Sequence, residues 1–245
     1  MRSRRRKRKR VKHLFVLFIA VVIIASWYAS SNLIINSDKL LESGYPKSLV
    51  ELAERNPETA EFVKNYKNYS GYPDSIDISD EVEEGEIPLF LQWDERWGYE
   101  QYGDDFMAVN GCGPTCLSMV ICGLRGTTDM NPYEVARLAD YEGYYVNGSG
   151  SSWDMMENFA SELGLDVHTV AFNEADIVET LQSGQPIICV VGPGDFTNDG
   201  HFIVLKDVDK KGRVIINDPN SKKNSRKKWK LEDIMPQVMN LWSYS

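Results

Sequence analysis

Apolar residues follow three successive patterns along the chain: an unbroken run near the N-terminus, helix-spaced positions through the middle, and short Ile/Val-rich runs near the end. The unbroken run extends from Leu14 to Ala29 without a charge. At ~1.5 Å per residue it spans about 24 Å, and extension to Ile35 gives about 33 Å, enough for a ~30 Å hydrocarbon core. It predicts a transmembrane helix over 14–35, with Trp27 and Tyr28 at an aromatic belt. Over 37–70 the spacing changes to helical. Ser48-Leu-Val-Glu51 reads as a capping box beside an apolar face of Leu49, Leu52 and Ala53. Asn56-Pro57-Glu58 opens a second helix with Phe62, Val63 and Tyr66 on its apolar side. The acidic, polar stretch 70–86 reads as a linker. Residues 37–86 are therefore expected to form a helical stalk and linker before a main domain at 87–245.

In that domain Pro88–Gln92 is predicted as a strand, followed by an aromatic loop with Trp93, Trp97, Tyr99 and Tyr102. Helices are predicted from Gly111 to about Leu124, from the Asn131 cap to Tyr141, from Ser151-Ser-Trp-Asp154 through Leu163, and from the Asn173 cap to Gly184. Asp166–Ala171, Pro186–Val191, His201–Val208 and Arg213–Asp218 are predicted strands. A helix near Leu231–Gln237 and a strand near Val238–Tyr244 close the chain. Helices first and a β meander afterwards imply an α+β domain of two layers.

Charge sharpens the picture at both ends. The chain has 245 residues, with 27 Lys+Arg and 36 Asp+Glu. Nine of the basic residues lie among the first twelve and no acid precedes Asp38, so the remaining body carries a net charge of −18. An acidic body with a basic tip excludes a nucleic-acid-binding domain. Residues 1–13 instead fit the cytoplasmic flank of the apolar run, which places everything after about Asn36 outside the cytoplasm. A retained single-pass signal anchor is expected, because Trp27 and Tyr28 crowd the Ala29-Ser30-Ser31 cleavage candidate; secretion after cleavage is the alternative. Four cysteines are too few for a disulfide-stapled domain, and their spacings match no zinc finger or ribbon.

Cys112 stands between Gly111 and Gly113, just before the predicted helix with Pro114 in its first turn. A thiolate there faces free backbone N–H groups and the positive helix end, which lower its pKa. The flanking glycines admit close approach of another chain. Cys116 and Cys122, inside the helix, and Cys189, inside Ile187-Ile-Cys-Val-Val191, read as buried thiols. Of three histidines, His13 flanks the apolar run and His168 reads as a partly exposed strand residue. His201 follows a polar, glycine-bounded loop and begins an apolar strand, so it is the candidate base. Asp218 ends the next strand. If the intervening hairpin loop has two or four residues, His201 and Asp218 share a face as diagonal neighbours about 7–8 Å apart at the backbone. A three-residue loop breaks that parity, and Asn217 is then the fallback orienter.

Gln92-Trp-Asp, Asn110-Gly-Cys-Gly-Pro-Thr-Cys-Leu-Ser-Met119, Asp199-Gly-His-Phe-Ile-Val204 and Val214-Ile-Ile-Asn-Asp-Pro219 together resemble the double-glycine leader peptidase-like family of papain-like cysteine peptidases, over about Ile87 to Trp242. The resemblance implies a papain-like fold, with a nucleophile helix packed on an antiparallel sheet. It also implies Cys112 as nucleophile, His201 as base, Asp218 as orienter and a Gln in the oxyanion hole. Exporter-linked members carry that Gln a few residues before the Cys. Here the candidates are Gln92 and Gln101, of which Gln92 is preferred. The chain has no phosphate-binding loop, so leader processing during export is not implied.

The expectation is a membrane-anchored, extracytoplasmic bacterial cysteine hydrolase acting on peptide or amide bonds. A peptide or cell-wall peptide is its expected substrate, and no metal or organic cofactor is expected. Two alternatives differ in kind. One is a catalytically silent surface module binding peptide or glycan through the aromatic segments Trp93–Tyr102 and Tyr141–Tyr145. The other is a peptidoglycan amidase or endopeptidase with the same chemistry.

Overall fold

The Ile/Val-rich runs pair into one antiparallel sheet of six strands in this computed structural model, which describes residues 36–71 and 75–245. The strands are β1 (Val167–Thr169), β2 (Ile187–Val191), β3 (His201–Val208), β4 (Val214–Asn217), β5 (Lys228–Trp229) and β6 (Val238–Tyr244), in the order β1-β6-β2-β3-β4-β5. Period-2 alternation gives each face its own core. Ile188, Val190, Phe202, Val204, Trp242 and Tyr244 pack under the helices that precede the sheet. Ile187, Cys189, Val191, Ile203, Leu205, Ile216 and Leu241 face the opposite way, onto Ile177, Leu181, Leu231 and Ile234. A strand buried on both faces reads as a continuous apolar run, as β2 does.

The helices are α1 (Ser37–Glu42), α2 (Lys47–Arg55), α3 (Ala60–Asn65), α4 (Cys112–Arg125), α5 (Pro132–Tyr141) and α6 (Glu174–Gln182), among shorter turns. Helix α4 is the centre of the first core and is buried almost all round, which explains its weak amphipathic pattern. It stops at Gly126, whose φ of 62° is left-handed and whose N–H returns to the Cys122 carbonyl at 2.9 Å. Asn131 caps α5, accepting from the N–H groups of Tyr133 and Glu134, and Asn173 caps α6, accepting from Asp176.

Several local expectations give way to tertiary partners. Pro88–Gln92, expected as a strand, joins no ladder, and Gln92 already lies in a turn. The Asn217 Nδ2 donates to the Ile87 and Pro88 carbonyls at 3.1 and 2.7 Å, doing by side chain what a neighbouring strand would have done. Ser151 caps nothing. It sits in a two-stranded hairpin with its Oγ 2.8 Å from the Tyr102 hydroxyl, and the helical segment begins only at Met155, as a π turn. Ser48 lies inside α2 and donates to Asp105 Oδ1 at 2.8 Å, so the capping box does not form.

The segment at 37–69 does not stand off as a stalk. Leu49, Leu52, Ala53, Phe62 and Val63 form one buried cluster with Leu91, Trp93, Tyr99 and Ala108 of the main domain. Phe62 stacks on Tyr99 at 4.2 Å between ring centroids. Each fully buried large apolar side chain contributes about 1.5–3 kcal/mol, so an amphipathic face of this size finds a partner rather than solvent. The predicted transmembrane helix at 14–35 and the basic tip lie outside the described residues. Among the described residues no helix is long and apolar enough to cross a membrane.

Candidate active site

Cys112 is the first residue of α4, and the four N-terminal N–H groups of a helix have no partner within it. The proline and the two glycines of the Gly111-Cys-Gly-Pro114 run fit that position for separate reasons. Pro114 lacks an N–H where none is needed. A Cβ on Gly113 would lie 2.4 Å from Ser151 Oγ, and one on Gly111 would lie 2.4 Å from the Met107 carbonyl. Both glycines therefore admit the protein's own chain, not a foreign one. The helix start is pinned from both sides, and the partly buried Cys112 is left facing the cleft.

His201 enters β3 beside it and is 6% exposed, while Asp218 follows β4 and is 1% exposed. His201 Nε2 lies 2.8 Å from Asp218 Oδ1. The hairpin reaches this pairing by an unexpected route. Its turn closes with the Asp209 N–H on the Arg213 carbonyl, leaving three residues between, the length that breaks the parity. A β-bulge restores it. Near the turn Val208 pairs with Val214 and Asp207 with Ile215, but beyond Lys206 the pairs become Leu205 with Ile216 and Val204 with Asn217. The extra residue, Lys206, directs its Nζ to the Ile87 carbonyl at 3.2 Å. One inserted residue thus turns His201 and Asp218 to the same face.

Asp218 meets two further donors. Its Oδ1 also accepts from the Asn220 N–H at 2.9 Å, and its Oδ2 accepts from Asn224 Nδ2 at 2.8 Å. Neither asparagine was expected at the site. The signal for Asn220 was legible, since Asp-Pro-Asn reads as an Asx turn in which the Asp side chain accepts from the N–H two residues on. Asn224 lies on a short helix, Lys222–Arg226, capped by Ser221, and no spacing pointed to it. Asn217 turns away from the pair to hold the Ile87–Pro88 backbone, so it is not the orienter.

The electrostatics follow from these partners. Burial pushes the Cys112 thiol up, but the hydrogen bond and charge of His201, with the N–H groups of Phe202 and Gly113, hold it below its ordinary value. For His201 burial pulls the imidazolium down, and the Asp218 charge and hydrogen bond, followed by Cys112, raise it well above. With Nε2 on Asp218, Nδ1 is the ring nitrogen left for the thiol. Both shifts favour the same pair of charges, a thiolate beside an imidazolium.

Gln92 is 2% exposed and lines the same cleft. Its Nε2 donates to the Ala108 carbonyl at 2.8 Å and, weakly, to that of Val109 at 3.3 Å, and its backbone N–H donates to the Pro219 carbonyl at 2.8 Å. Gln101 is exposed, bonds the Gly103 carbonyl and is absent from the cleft lining. The structure therefore brings Cys112, His201, Asp218 and Gln92 together. It leaves His168 exposed on the edge strand β1. Cys116 and Cys189 are fully buried, and burial raises both thiols.

The cleft holds about 820 Å³. Its walls come from the 148–150 turn, the 194–200 loop and, from α2, Leu52 and Arg55 with Asn56 just beyond. Of the two aromatic segments expected to serve a binding surface, the first is spent in the cores, with Trp93, Trp97, Tyr99 and Tyr102 all buried, whereas in the second Tyr141 is exposed and Tyr144 and Tyr145 are half-buried.

Residues 84–245 match the Peptidase_C39 like family. No curated protein matches the chain. Among solved structures, a C39-like peptidase from Bacillus anthracis is 16% identical, with a TM-score of 0.44 over 67% of this chain and 96% of that one. The peptidase domain of Streptococcus ComA, a bifunctional ABC transporter of a quorum-sensing pathway, is 20% identical, with a TM-score of 0.41 over 55% of this chain and 89% of that one. With well over half of its length matched, the chain belongs to the Peptidase_C39-like family and is a cysteine peptidase.

Proposed function

We propose that this peptidase cleaves peptide bonds through Cys112, His201 and Asp218, outside the cytoplasm and tethered to the membrane by residues 14–35. The observation that carries the chemical part is the 2.8 Å contact of His201 Nε2 with a buried, hydrogen-bonded Asp218, which leaves Nδ1 for a thiol at a helix N-terminus. The Cys112 thiolate adds to the carbonyl carbon of the scissile bond. The resulting oxyanion meets the Cys112 N–H and the Gln92 amide hydrogen that its weak contact with Val109 leaves available. His201 Nδ1–H gives its proton to the departing amine as the C–N bond breaks, and a thioester remains. Water then passes a proton to His201 while its oxygen adds to the thioester, and collapse releases the thiolate and the carboxylic acid product, which gives its remaining proton to solvent.

A thiol-reactive probe at neutral pH, followed by a peptide-library screen on the full chain, tests this reading. Selective modification of Cys112 with parallel loss of turnover is expected; turnover that survives full modification of Cys112 overturns it. The membrane setting rests on the basic tip and the apolar run. A reporter fused after Ser245 should be active outside the cytoplasm and sediment with membranes, and a cytoplasmic signal overturns it.

A further inference from the structure

The matched family region begins at residue 84, yet the segment before it reaches the site. Asn56 joins α2 to the next turn. Its Oδ1 accepts from the Glu58 N–H, while its Nδ2 donates to the Asn220 carbonyl at 2.6 Å and to Asn220 Oδ1 at 3.0 Å. Asn220 is the residue whose N–H holds Asp218 Oδ1, the oxygen that also accepts from His201. Two residues on, Glu58 accepts from the Ser221 hydroxyl at 2.6 Å and the Lys223 N–H at 3.3 Å, gripping the same loop. A second donor on the Asn220 carbonyl, Trp93 Nε1 at 3.1 Å, comes from the family region itself.

We propose that Asn56, with Glu58 behind it, is a positioning residue of this peptidase: it fixes the 219–223 loop so that Asn220 keeps the Asp218 carboxylate aligned on His201. The segment at 47–58 is then a working part of the enzyme, bracing the charge pair while Leu52 and Arg55 wall the cleft. A side chain three hydrogen bonds from the imidazole, through Asn220 and Asp218, acts on it through alignment. The inference rests on the proposed roles of Cys112, His201 and Asp218.

Asn56→Asp and Asn56→Ser separate positioning from folding, because both retain an acceptor for the Glu58 N–H and lose the Nδ2 group that reaches Asn220, the serine hydroxyl being shorter than the amide arm. The measurement is the pH profile of Cys112 alkylation by iodoacetamide in the full chain, below the melting transition of each variant. Among the described residues, Asp218, Cys116 and Tyr102 are the other titratable groups against the pair, and Arg55, Asp195 and Asp199 face it across the cleft. Burial raises Cys116 and Tyr102, which stay neutral throughout.

The acid limb should move to higher pH in both variants, and alkylation at neutral pH should fall by about three- to tenfold, the value of one ordinary hydrogen bond. Leu49→Ala, in the same buried cluster but away from the loop, should lower the melting temperature and leave the limb in place. Acid limbs of both Asn56 variants that coincide with the parent's overturn the inference, as does an equal shift in Leu49→Ala. A parent chain lacking any low-pH limb overturns the proposed roles of the pair instead, so the two failures are distinct.

Discussion

Cys112 and Cys116 are one turn apart on the same helix and differ in almost everything that matters to a thiol. Burial raises both. At Cys112 it is outweighed by an imidazole and two backbone N–H groups, while at Cys116 nothing opposes it and the neighbouring charges of Cys112 and Asp218 add to it. Position in the helix decides the outcome. The first turn offers free N–H groups and the positive end of the dipole, whereas the second has spent its N–H groups on the ladder. Burial alone makes a thiol inert; burial with donors makes it reactive.

The sharpest way to break this contrast is to remove the groups that create it. Cys112→Ala and His201→Ala should each lower kcat/KM on any cleaved peptide by about a thousandfold or more, and the double variant little further, because the residues act as a unit. Asp218→Ala should cost one to two orders of magnitude less, as expected of an orienter. Additive losses would show that Cys112 and His201 do not work together.

A comparison of rates within one molecule comes next. Between the lowered Cys112 pKa and the raised His201 pKa the charged pair persists. Turnover and alkylation should therefore rise with pH as the thiolate forms, then turnover should fall as the imidazolium loses its proton. Over the plateau Cys112 should react about a hundredfold faster than Cys116 or Cys189, read by peptide mapping. Equal labelling of Cys116 in the native state would erase the contrast.

Smaller effects sharpen it. Gly113→Ala must push Ser151 away and should destabilise the fold by about 1–3 kcal/mol in a denaturant melt. His168→Ala, on an exposed edge, should leave activity and melting temperature within error; a dead His168→Ala would mean that the wrong imidazole has been placed beside the thiol.

What the sequence made legible follows from how local each signal is. The start of α4, the caps at Asn131 and Asn173 and the Ile/Val strands depend on neighbours within a few residues, and they appear where expected. Ser48 and Ser151 carried good local cap signals that lost to distant partners, Asp105 and Tyr102. At the site, Cys112 was readable from its glycines and proline, although for the wrong reason, since those glycines make room for Ser151 and Met107. The face shared by His201 and Asp218 hung on a bulge that no composition or spacing announces. Docking of the 37–69 segment was half legible. Its apolar face was plain, but the surface that covers it lies at Leu91–Ala108, far along the chain.

The bulge at Lys206 also sets where this enzyme can tolerate changes in length. The exposed tip at 210–212 can take up insertions by extending into solvent, as loops do. Between His201 and Leu205 the tolerance vanishes. One residue gained or lost there reverses the imidazole to the opposite face, while both hydrophobic layers can still close around the ladder. A descendant with such a change would be a well-folded protein with every reactive side chain present and no catalysis. Any survey of inactive relatives should therefore align the β3–β4 arm residue by residue, not merely check that its Cys, His and Asp are present.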